Sequence, residues 1–261
     1  MNYIPLLLTS FAVLHFGSAA AFEKQIEQEQ VSMQEIESRL AVSRQFIDHL
    51  VHASSTVLNQ FDAFAHILKQ TYLAGEGLID KDVYNIIDAL VFAAEKHRFQ
   101  VRKDLNQTPY IIHPIGVAYN LMSIGKVHDP DILIGALLHD TVEDTQTTFD
   151  EIEQRFGSRV RAFVQEVTDD KSLPKLMRKQ FQVEHAPEKS AGAAQIKLAD
   201  KLYNLEDLIK AGPIDWDEER VGSYFQWAKA VVDNLPWVNA PLKKAVDDVI
   251  EGYWQAKRGL L

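Results

Sequence analysis

Apolar residues in this chain recur every three or four positions over almost its whole length and nowhere alternate with period two for long, which confines it to helices. No proline falls between residues 23 and 108, and Ile36, Leu40, Ile47, Leu50, Leu58, Phe61, Ala65 and Leu68 are spaced by helical intervals or their sums. One or two amphipathic helices packing on the main domain are expected there, with a partner-binding coiled coil as the alternative. Gly75 and Gly77, followed by Asp80, read as a break and an N-cap. Val83, Ile86, Ile87, Leu90 and Ala94 then mark one face of a helix ending near Lys96. After a polar loop over 99–108, helices are expected at 114–124, 130–142, 149–156, 159–167, 193–210, 217–234 and 241–257. The fold class is all-α, a helical bundle with an extra N-terminal helical extension.

Composition narrows what such a bundle can do. With 261 residues, 46% of them hydrophobic, the chain can bury one sizeable core. A formal net charge of -10 argues against a nucleic-acid partner, since such binding rests on a broad cationic face. An anionic ligand would need the few cations gathered in one place. There are no cysteines, so thiolate metal sites, thiol nucleophiles and disulfides are excluded, and any metal must be held by His and carboxylates. Residues 1–22 differ in kind: they carry no formal charge beyond the terminus, are apolar from Ile4 to Phe16, and end in the small residues Ser18, Ala19, Ala20 and Ala21. A cleavable signal peptide is the first expectation, implying a secreted or periplasmic protein. An uncleaved anchor in contact with a membrane is the second, and a soluble helix or misassigned start the third.

The segment Ala136-Leu137-Leu138-His139-Asp140-Thr141-Val142-Glu143-Asp144 joins an apolar helix to four titratable groups. On a continuous helix His139 and Glu143 lie one turn apart, as do Asp140 and Asp144. Such a face is costly to bury beside Ile132, Leu133 and Leu137 unless a cation neutralises it. A lone His-Asp pair reads first as a structural histidine; the added Glu143 and Asp144 weaken that reading. Tyr110-Ile111-Ile112-His113-Pro114 holds a second histidine at a loop-to-helix junction, where an N-cap-like histidine is the plain alternative. Lys197-Leu198-Ala199-Asp200-Lys201-Leu202-Tyr203-Asn204-Leu205 sets Asp200 and Asn204 one turn apart, with Leu198, Leu202 and Leu205 facing elsewhere. An exposed acid paired with lysines is the plain alternative there.

In the order His, His-Asp, Asp these motifs match the HD superfamily. Arg102-Lys103-Asp104, Thr108-Pro109-Tyr110, residues 136–145, Glu166-Val167-Thr168-Asp169-Asp170-Lys171 and residues 197–205 resemble the ppGpp hydrolase domain of RelA/SpoT proteins. The likeness is closest to the small, hydrolase-only metazoan SpoT homologues. It runs from Tyr84 to Gly259 and does not account for the chain before it. Ile112 departs from the family, many of whose members carry a polar residue before the histidine. That puts a neighbouring contact in question rather than a ligand. The resemblance implies an HD phosphohydrolase domain over 81–261, preceded by the extension at 23–80, with His113, His139, Asp140 and Asp200 as metal ligands. Mixed nitrogen and oxygen ligation without thiolate suits Mn²⁺, with Fe²⁺ or Zn²⁺ as alternatives. Glu143 and Asp144, one turn beyond, are expected to orient a water and move its proton. Arg102 and Lys103 are the best candidates for the local cations, although a solvated loop is their plain reading without the resemblance. Lys175, Asn204, Arg220 and Tyr224 are implied as further substrate contacts.

The reaction implied is metal-dependent hydrolysis of the 3′-pyrophosphate of ppGpp to GDP and pyrophosphate. Synthesis of ppGpp is not expected, because no segment after the HD region is long enough for the synthetase domain of full-length RelA/SpoT enzymes. Two alternatives stand beside hydrolysis of ppGpp. One is removal of the 2′-phosphate of NADPH, or hydrolysis of another nucleotide, on the same site; the other is a non-catalytic HD binding module. The resemblance points to the cytoplasm, against the signal peptide. No candidate ligand cluster precedes Phe99, so the extension is expected to be dispensable for chemistry.

Overall fold

The computed structural model describes residues 19–236 and 239–259. The apolar segment expected to be a signal peptide or anchor lies outside the described residues up to position 18. No described helix is long and apolar enough to cross a membrane. The chain divides into two compact units, residues 1–42 and 43–261. The first contains the leading part of a long helix, α1 (Ala19–Val51), where Glu35 and Arg39 form an i,i+4 ion pair of 3.0 Å. His52, at a φ of 48°, follows the end of α1.

The second unit continues with α2 (Ser55–Leu73), α3 (Asp80–Lys96), α4 (Ile112–Ser123), α5 (Pro130–Leu138) and α6 (Thr141–Asp144). Then come α7 (Phe149–Phe156), α8 (Ser158–Val167), α9 (Lys175–Glu184), α10 (Ala191–Ala211), α11 (Glu218–Asn234) and α12 (Ala240–Gly259). Among the described residues no strand forms; one isolated bridge, Val101 to Pro109, pins the loop between α3 and α4. Helix α10 is the centre of the bundle and packs against α4, α5, α8, α11 and α12. Its approach to α4 is close because Gly116 lacks a side chain: a methyl group there would run into the Tyr203 ring. Helix α2 lies along α4 and buries Val57, Phe61, Phe64, Ala65 and Leu68. Burying each of the larger of these contributes about 1.5–3 kcal/mol. The helical spacing read before residue 80 therefore yields a core-forming helix.

Three local expectations are corrected. The helix beginning at Asp80 is preceded by Ile79 as its cap residue, whose N–H donates to Asp82 Oδ2 at 3.1 Å. Asp80 instead accepts the Tyr72 hydroxyl at 2.5 Å. The single helix expected over 130–142 is broken after Leu138, and α6 starts anew at Thr141. Side chains take two carbonyls that backbone N–H groups would otherwise use: His139 Nδ1 meets the Ala136 oxygen at 2.7 Å, and the Thr141 hydroxyl donates to Leu138 at 2.7 Å. Helix α9 was not expected from the sequence. It buries none of its residues, and Leu176 stands 78% exposed, so it carries no apolar stripe from which to read a period.

Candidate metal centre and the cleft beside it

Four acid and imidazole groups converge from three places. His113 lies in the first turn of α4, His139 and Asp140 at the break between α5 and α6, and Asp200 in the middle of α10. The two Nε2 atoms are 3.2 Å apart. Asp140 Oδ2 lies 3.0 Å from His139 Nε2 and 3.5 Å from His113 Nε2. Asp200 Oδ1 lies 3.3 Å from His113 Nε2 and 3.9 Å from His139 Nε2. Metal bonds of about 2.0–2.2 Å, at angles between octahedral and tetrahedral, place neighbouring ligand atoms about 3.0–3.5 Å apart. His113, His139 and Asp140 alone already offer a compact set of three such atoms.

The surroundings suit a cation. His139 gives its Nδ1 proton to the Ala136 carbonyl, which leaves the Nε2 lone pair facing the cluster. Asp140 Oδ2 accepts the Tyr110 hydroxyl at 2.6 Å. Asp200 accepts Asn204 Nδ2 at 2.6 Å and Lys201 Nζ at 2.9 Å. Burial would lower the His139 pKa, yet the carboxylates of Asp140 and Asp200 raise it to about 9. Burial opposes ionisation of the two aspartates as well. Even so, the His139 field and a His113 contact hold Asp140 well below the ordinary carboxylate range, and Lys201 and His113 do so for Asp200. The field that draws a proton to this point draws a metal ion equally, and the two compete. The donor set fits a divalent ion.

Glu143 and Asp144 sit on α6, one short turn away. Glu143 Oε2 accepts the Asp169 N–H at 3.0 Å, and Lys171 approaches Glu143 at 3.2 Å and Asp144 at 2.8 Å. Burial raises the Glu143 pKa, against the Asp169 hydrogen bond. Asp144 Oδ2 also accepts Gln100 Nε2 at 3.0 Å. Sequence reasoning gave no role to Gln100, Lys171 or Tyr110. The last two lie inside quoted motifs, but their use depends on contacts 27 to 30 positions away.

A cleft of about 420 Å³ opens beside the four groups, lined among others by Arg102, Lys103, Tyr110, Asp144, Asn204 and Tyr224. Tyr110 and Asn204 join it to the centre, because each also bonds one of the two aspartates. Lys175 and Arg220 are not among its walls. Arg220 adjoins it through Trp216, one of its lining residues, and burial followed by the charges of Arg220, Lys103 and Arg178 lowers the Lys175 pKa. The Arg102 guanidinium is already engaged, with Nη2 donating to Asp207 at 2.5 Å and to Asn204 at 3.1 Å. Arg220 lies over the Trp216 ring at 4.5 Å. Burial, with Asp200 adding to it, raises the Tyr224 pKa and keeps its hydroxyl a donor.

A helical bundle with this His, His-Asp, Asp centre defines the HD-domain class, and the family model described as HD domain matches residues 89–220. The chain is 54% identical over 169 residues to guanosine-3′,5′-bis(diphosphate) 3′-pyrophosphohydrolase MESH1 of Xenopus tropicalis, covering 65% of this chain and 94% of that protein. To the Homo sapiens MESH1 it is 56% identical over 161 residues, covering 62% and 90%. A solved structure described as a metazoan ortholog of SpoT that hydrolyzes ppGpp and plays a role in starvation responses superimposes with a TM-score of 0.63. It is 47% identical, over 68% of this chain and 97% of that one. The chain belongs to the HD-domain family and, within it, to the MESH1 group. About a third of it lies outside these alignments.

Proposed function

We propose that this chain hydrolyses the 3′-pyrophosphate of ppGpp, giving GDP and pyrophosphate, with Mn²⁺ as its ion. The observation that carries the reading is the convergence of two imidazoles and two carboxylates beside a cleft with cations at its rim, in a chain that covers nine-tenths or more of relatives named for that reaction. His113, His139, Asp140 and Asp200 would hold the ion. Held there, a divalent ion would supply Lewis acidity toward a phosphoryl oxygen and lower the pKa of water toward neutrality. Glu143, whose raised pKa suits it to exchange protons, takes the proton of the attacking water. Asp144, gripped on both oxygens by Lys171 and Gln100, holds its orientation toward the cleft. Lys103, Lys175 and Arg220 attract the phosphates, and the Tyr224 hydroxyl donates to one of them.

Product analysis tests this. Incubation with ppGpp and Mn²⁺ should yield GDP and pyrophosphate in equal amounts, and chelation should stop it. Release of inorganic phosphate from NADPH at a comparable rate, with ppGpp untouched, would overturn the choice of substrate.

A further inference from the structure

We infer that His97 and Gln100 form a positioning relay that fixes the carboxylate of Asp144, an inference that rests on the hydrolytic reading above. His97 caps the C-terminus of α3, and only 1% of it is exposed. Its Nδ1 lies 2.7 Å from Gln100 Oε1, and Gln100 Nε2 donates to Asp144 Oδ2 at 3.0 Å. The backbone holds this turn at both ends: Gln100 N–H donates to His97 at 2.8 Å, and Tyr110 N–H to Gln100 at 2.9 Å.

The direction of the relay follows from which atoms can donate. Buried Nε2 of His97 has no hydrogen-bond partner. A proton there would be an unpaired buried donor, costlier than an unpaired acceptor, so the ring carries its proton on Nδ1. Burial, opposed by the Gln100 bond, lowers the His97 pKa and favours that neutral ring. An Nδ1–H requires the carboxamide oxygen of Gln100 to face it, and the NH₂ group is thereby turned to Asp144. The other oxygen of Asp144 is held by Lys171, a side chain 48% exposed on a flexible stem. The hold on Asp144 that has a buried side chain behind it therefore comes through Gln100, whose carboxamide oxygen faces His97. The plain rival is that His97 only braces Tyr110, whose ring lies 4.9 Å from its own and whose hydroxyl bonds Asp140.

Two substitutions separate these roles. His97→Asn keeps an N–H near the Nδ1 position and loses the ring, whereas His97→Phe keeps the ring and loses the donor. With ppGpp and Mn²⁺, His97→Phe should lower kcat by about tenfold or more while KM and bound metal stay unchanged, and His97→Asn should restore most of that loss. Gln100→Ala, at a half-buried loop position that leaves the core intact, should match His97→Phe, and the double variant should be no worse than either alone. The side-chain NH₂ protons of Gln100 should exchange slowly in the wild type and in His97→Asn, and rapidly in His97→Phe. An active Phe variant with an inactive Asn variant, or additive losses in the double variant, would overturn the relay. If the wild type leaves ppGpp intact, the hydrolytic reading fails. The amide protons still decide the relay, which is overturned if they exchange alike in wild type and His97→Phe.

Discussion

The donor groups of the metal centre and the cations in and around the neighbouring cleft are built in opposite ways. His113, His139 and Asp200 are buried, and Asp140 nearly so, each on a helix or helix junction packed into the bundle. Lys103, Lys175 and Arg220 are exposed and come from a loop, the unburied helix α9 and the first turn of α11. On the donor side the charges act in low dielectric, where one missing partner leaves the others uncompensated. On the cation side each charge is screened by water and ions, and its neighbours can substitute for it. Substitutions should therefore fall steeply in effect from the first wall to the second.

The largest effect is expected at the centre. His139→Ala or Asp140→Ala should lose bound ion and hydrolysis together, as read by elemental analysis and turnover of ppGpp. A variant that keeps a full equivalent of metal and wild-type turnover would break the comparison at its strong end. Next comes Glu143→Gln, which should keep the ion and lower kcat by about 10²-fold or more. Because burial raises the Glu143 pKa and the group must be ionised to accept a proton, wild-type kcat should fall as pH drops through a value above the ordinary glutamate range. The Gln variant should lose that limb. Metal loss in Glu143→Gln would move this residue into the donor wall.

The same contrast explains what the sequence made legible. The donor residues stand inside short motifs on helices, so local spacing brings them to notice before any fold is known. The all-α class was legible for the same reason, since core helices such as α2 and α10 display their buried stripes. Helix α9 displays none and escaped notice. The break after Leu138 escaped because His139 and Thr141 make it with their own side chains, without glycine or proline. Pairings distant in sequence were out of reach: Gln100 finds Asp144 44 positions on, and Arg102 finds Asp207 105 positions on.

Arg102 sits between the two walls, and its expected effect is intermediate. Only 16% of its side chain is exposed, and through Asn204 it touches the group that steadies Asp200. Arg102→Ala should lower kcat/KM for ppGpp by about 1.5–3 kcal/mol, the scale of hydrogen bonds to charged groups. Part of the loss should persist with para-nitrophenyl phosphate, because the Asn204 contact serves both substrates. A loss confined to ppGpp would place Arg102 wholly on the phosphate-reading side.

The smallest effects are expected at Lys103 and Lys175. Their neighbours share their sign, since Lys103, Arg178 and Arg220 all lower the Lys175 pKa once burial has done so. Removing one lysine weakens the pull on a polyanion but also relieves repulsion among those left, so the two consequences partly cancel. Lys103→Ala or Lys175→Ala should raise KM by about two- to fivefold at low salt, as for exposed charge pairs, with kcat unchanged. Added salt screens the interaction over about 8–10 Å, so wild-type KM should climb toward that of the variants as ionic strength rises. Measuring KM for ppGpp in wild type and each variant across a salt series reads this directly. If the Lys175→Ala loss instead equals that of Arg102→Ala and does not change with salt, the lysine is desolvated when substrate binds. The cation wall would then be as firmly built as the donor wall.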